Sequence, residues 1–121
     1  MGCVHPTSLL NVKSVSQAES QDALHVLRAT LARAERAKAR FSYLNDYANG
    51  LVTRGVDAQR ILNELIEGDA YLTQVQAARS GLRAIEDQLA STKREMNEAA
   101  SRHQALSIEA NRLRAALYHS L

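Results

Sequence analysis

The chain has 121 residues, 45% of them apolar, a net charge of +2, no Trp, one Phe and four Tyr. A compact domain of this length collects aromatic residues in its core, so a chain dominated by Ala, Leu, Arg, Glu and Gln reads instead as long helices joined along a thin seam. The weak, mixed charge excludes the concentrated basic face that nucleic-acid binding needs, and no apolar stretch reaches the roughly 20 residues of a bilayer span.

Residues 1–15 read as an amino-terminal tail or a few extra helical turns, with Leu9, Leu10, Val12 and Val15 as their apolar positions. Met1-Gly2-Cys3 resembles a double acylation signal, in which Gly2 takes a myristoyl and Cys3 a palmitoyl group. Position 6 should then be Ser or Thr and is Pro6, which argues against it. The start also lacks the basic and apolar regions of a secretory signal, and the lone Cys3 can form no internal disulfide. A cytoplasmic protein is expected.

A first helix is predicted over 16–49, opened by the capping box Ser16-Gln17-Ala18-Glu19. Its apolar stripe is Leu24, Leu27, Leu31, Ala34, Phe41, Leu44, Ala48 and Leu51, interrupted at Lys38. Arg28, Arg33, Arg36, Lys38 and Arg40 form a basic run that is either a solvated helix face or a candidate docking face for an acidic partner. Asn49-Gly50 and Gly55 then predict a loop over 50–56, because glycine accepts the left-handed conformation that ends helices. Asp57 is the expected N-cap of the next helix.

A long second helix is predicted over 57–118. Val75, Ala78, Leu82, Ile85, Leu89, Thr92, Met96, Ala99, His103, Leu106, Ala110, Leu113 and Leu117 alternate three and four apart. Eleven of the thirteen are apolar where composition alone would give about six, which makes this a coiled-coil seam. Gly68 and Gly81 fall inside this helix, and His103 is read as an ordinary half-exposed seam residue rather than a pH switch. The expected fold is therefore all-α: an elongated antiparallel two-helix coiled-coil hairpin with unequal arms, the second being the longer. Its far seam would be free to pair with the 7–15 segment or with a second chain, giving a homo-oligomer.

No enzyme is expected. The sequence has no Gly-rich phosphate loop, its four His are scattered, and a two-helix hairpin offers no enclosed pocket in which side-chain pKa values could be tuned. No metal or cofactor is implied either.

Three stretches, in order, resemble the FliJ/YscO-type stalk proteins of flagellar and type III secretion export apparatus. They are Leu9-Leu10-Asn11-Val12-Lys13 with the Ala and Leu spacing after it, Tyr43-Leu44-Asn45-Asp46-Tyr47, and Tyr71-Leu72-Thr73-Gln74-Val75-Gln76-Ala77-Ala78 leading to Arg102-His103-Gln104-Ala105-Leu106. The resemblance implies a non-enzymatic cytoplasmic component, working at or near the inner membrane. Its helix ends would enter the hole of a hexameric export ATPase while a side patch meets the export gate, with chaperones as further partners. Tyr43, Tyr47, Tyr71, Val75 and Ala78 match the gate-binding positions, although Val75 and Ala78 also belong to the seam. Two other readings remain: a generic coiled-coil adaptor, membrane-tethered through Met1-Gly2-Cys3, and the α-hairpin of a periplasmic adaptor, which needs flanking β domains.

Overall fold

The computed structural model describes the backbone of residues 6–120 and the side chains of residues 18–119. The Met1-Gly2-Cys3 signal lies outside the described residues, as do the side chains of Leu9 to Val15. Two helices account for nearly all of the rest, α1 (Pro6–Glu67, 62 residues) and α2 (Leu72–Ser120, 49 residues). They pack as the expected all-α antiparallel hairpin. The chain divides into two units, Met1–Arg36 with Arg102–Leu121, and Ala37–Ser101, which contains the turn.

The arms and the turn differ from expectation. The first arm is the longer, and residues 50–56 are helical throughout. The reason lies in the seam of α1. Leu27, Thr30, Ala34, Ala37, Phe41, Leu44, Ala48, Leu51, Gly55, Ala58, Leu62 and Leu65 alternate three and four apart without interruption, and each is buried or half-buried. A helix-interior Gly costs only about 1 kcal/mol relative to Ala, less than breaking a seam that continues for two more turns. Gly55 occupies a seam position, where a Cβ would meet Ile85 Cγ2 of α2 at 3.6 Å.

Four smaller expectations fall as well. Ser16 cannot open a helix that already runs from Pro6, a residue suited to a first turn because it has no amide hydrogen to leave unpaired. Asp57 is no N-cap: it lies mid-helix, where its carboxylate accepts a hydrogen bond from Arg60 at 2.7 Å, while Arg60 also donates to Glu64 at 2.8 Å. Those two bonds, to Asp57 first, raise the guanidinium pKa above its usual value. Lys38 interrupts nothing, since it is exposed beside the true seam residue Ala37, and Leu24 stays 37% exposed while Thr30 takes the buried position.

The turn is at Gly68–Tyr71. The Ala70 amide donates to the Leu65 carbonyl at 3.0 Å and the Asp69 amide to Ile66 at 3.3 Å, with Asp69 left-handed at φ 55°. This is a Schellman ending in which the left-handed residue is Asp69 and not the glycine before it. On the far side the Tyr71 amide donates to the Gln74 side chain at 3.3 Å, the returning half of a capping box.

The thirteen predicted seam residues of α2 are all buried or half-buried. The buried side chains of the hairpin are small: Ala34, Ala37, Ala48, Ala99 and Ala110 lie beside Leu27, Leu44, Leu51 and Leu62, and among the described residues Leu51 is the one large side chain almost wholly enclosed, at 1% exposure. Thr30 and Thr92 enter the seam at little polar cost because their hydroxyls donate to the carbonyls of Val26 and Gln88, each at 2.8 Å. With α1 running alongside, the far seam of α2 is buried or half-buried within the chain.

Candidate functional site

Where two helices pack through one seam, the exposed positions on either side of that seam form two flanks. In the unit Ala37–Ser101 they differ sharply. One flank of α1 carries Arg40, Tyr43, Tyr47, Arg54 and Ile61, and the adjoining flank of α2 carries Gly81, Ala84, Gln88 and Glu95. An ion pair crosses it in register, Arg40 to Glu95 at 3.8 Å. Both side chains are about half exposed, so the pair aligns the helices more than it stabilises them.

Tyr43 and Tyr47 stand one helical turn apart on this flank, 67% and 43% exposed. Neither has an aromatic partner among the described residues, where the only ring contact is Tyr118 against His119. Further along the same flank the small residues Ala58, Ala78, Gly81 and Ala84 leave an open groove of about 460 Å³, edged by Arg54, Ile61 and Gln88.

The opposite flank of α1 reads Asn45, Asn49, Val52, Val56, Gln59, Asn63 and Ile66, all exposed and none charged. The Gln59 amide donates to Asn63 at 3.0 Å, so those two side chains are satisfied by each other. Facing them, α2 presents Arg79, Arg83, Glu86 and Lys93, whose spacings of four, three and seven residues keep them on one stripe. Between the helices lies a second groove of about 350 Å³, lined by Leu51, Val52, Gly55, Val56, Leu82 and Leu89 among others.

The five positions expected to form one partner patch are not brought together. Tyr43 and Tyr47 share a flank, but Tyr71 lies at the turn, 80% exposed and separated from Tyr47 by about 30 Å of helix. Val75 and Ala78 are half-buried in the seam, because α2 needs them to close against α1. The basic run does not form one face either. Lys38 and Arg40 lie on opposite flanks of their unit, and in the other unit the spacing places Arg28 apart from Arg33 and Arg36.

The pair of grooves escaped the sequence reading. Their signal was there: Gly55 at a seam position and Gly81 and Ala84 beside one are small residues at heptad positions, which leave space between helices. His103 sits half-buried in the seam of the other unit, with Ser107 Oγ 3.5 Å from its Nε2. Among the described residues no cluster of His, Cys, Asp or Glu could hold a metal ion, and no helix is long and apolar enough to cross a membrane. No family model matches the sequence, and comparison with curated proteins and with solved structures finds no match.

Proposed function

We propose that this chain is a non-enzymatic coiled-coil protein that works by binding other proteins, and that it serves as a stalk component of a bacterial flagellar or type III export apparatus, contacting the export ATPase and the export gate. The observation that carries the reading is the exposed Tyr43/Tyr47 pair, flanked by Arg40 and Arg54. Tyr and Arg are the residue types that dominate protein-binding energy, since each removes a large area from water while keeping a polar end satisfied. Two exposed tyrosines one turn apart contribute little to a seam they do not enter, so their placement favours a surface that meets a partner.

The resemblance supplies the identity of that partner, and Tyr43 and Tyr47 are the two matched positions that stand together on one flank clear of the seam, whereas Tyr71, also exposed, lies apart at the turn. The gate contact is therefore assigned to this flank alone, without Val75 and Ala78. The test is the double variant Tyr43→Ala/Tyr47→Ala, measured for binding to the export-gate cytoplasmic domain and the export ATPase of the same organism. The expected result is a loss of gate binding of more than about 2 kcal/mol with unchanged helicity and melting temperature. Absence of binding by the unmodified chain to both proteins would contradict the export reading, and normal binding by the variant would remove the tyrosine flank.

A further inference from the structure

The flank opposite the tyrosines combines three properties seldom found together on a solvated coiled coil. Its α1 side carries no charge from Asn45 to Ile66, although flanking positions of a coiled coil are normally charged. Its middle is an apolar groove that exists because Gly55 has no side chain and leaves Leu82 and Ile85 partly uncovered. Its α2 side is basic, with Arg79, Arg83 and Lys93 against the single acid Glu86. None of the four takes part in an ion pair among the described residues. Arg79 and Arg83 are also four residues apart, a spacing at which like charges repel within a helix.

We propose that this groove receives an acidic amphipathic helix from a partner protein, forming a local three-helix packing. A groove running between two helices matches the shape of a third, whose apolar stripe would cover Val52, Val56 and Leu89. Acidic residues beside that stripe would pair with Arg79, Arg83 and Lys93, while the side-chain amides of Asn45 and Asn49 offer uncharged hydrogen-bonding partners along the other edge. The unbalanced basic stripe argues against a second copy as the occupant, because two such flanks facing one another would bring arginines together. The amide-rich edge argues against a lipid surface, which would leave those groups unpaired. This site is independent of the tyrosine flank and of the export reading.

The experiment uses the full chain and two labelled peptides of about 18 residues, five helical turns, with Leu at every third or fourth position and either Glu or Lys between. Fluorescence anisotropy should show binding of the Glu peptide and little binding of the Lys peptide. Arg79→Glu/Arg83→Glu should weaken the Glu peptide at least about tenfold, and Tyr43→Ala/Tyr47→Ala should leave it unchanged. Val56→Glu, at a side chain 68% exposed, should weaken it similarly and serves as the readout should the double charge reversal lower helicity. Equal binding of both peptides, no binding of the Glu peptide at millimolar concentration, or indifference to Val56→Glu would each overturn the proposal. So would a homodimer that Val56→Glu dissociates, or capture of the chain by phosphatidylserine vesicles through the same arginines.

Discussion

Residues 49–56 and 66–72 look alike as sequence, since each sets glycine beside polar residues of the kind that end helices, yet one is the middle of a long helix and the other is the turn. The difference lies in what each glycine would interrupt. Gly55 falls in step with Leu51 before it and Ala58 and Leu62 after it, so the helix is held by the seam on both sides. At Gly68 that support ends: after Leu65 the next seam position of α1 would fall at Asp69, which α1 does not reach, and the Ala70 amide turns back to the Leu65 carbonyl. Local turn chemistry is worth about 1 kcal/mol per residue, and a packed seam outweighs it.

The sharpest way to break this comparison is proline. Thr53→Pro would remove a donor in the interior of α1 and clash with the preceding turn, costing about 3 kcal/mol or more in chemical denaturation. Leu72→Pro falls on the first residue of α2, where no helical amide bond is lost, and should cost less than about 1 kcal/mol. Were 50–56 a loop and 66–72 a helix, the two results would exchange.

Leu51→Ala comes next. Leu51 is the most enclosed large side chain among the described residues, inside the segment that resembles a loop, and its loss should cost about 2–3 kcal/mol. Leu89, half-buried at a groove edge, should cost clearly less when changed to Ala, which reverses the importance its sequence position suggests.

The smallest effects exchange glycine between the two places. Asp69→Gly should stabilise by about 1 kcal/mol by relieving a left-handed non-glycine residue. Gly50→Ala should stabilise by about 0.5–1 kcal/mol, since a Cβ there meets nothing within 4 Å. Destabilisation by Gly50→Ala in a thermal melt would place a turn where the seam says there is none.

Much of the fold was legible because periodicity is a non-local signal that survives individual exceptions. The α2 seam from Val75 to Leu117 was readable residue by residue, including Thr92 and His103, which propensity alone would have placed outside. The α1 seam was misread where its members are small or polar: Thr30, Ala37, Gly55 and Ala58 do not announce burial, and Leu24 and Leu31 drew the stripe one position aside. Tyr43 and Tyr47 were legible as a pair, but their separation from Tyr71 depended on where the turn falls. The basic groove could not be seen until Gly55 was placed opposite Ile85.

The contact between Gly55 and Ile85 is accordingly the most direct test of the account. Nuclear Overhauser spectroscopy on isotope-labelled protein should show the Ile85 γ-methyl close to the Gly55 α protons, together with successive amide contacts typical of helix through 50–56. A hairpin hinged at 50–56 would instead bring Ile85 level with the residues around Gln21. Contacts from that methyl to Ser20–Leu24, and none to Gly55, would contradict the seam, the turn and the groove together.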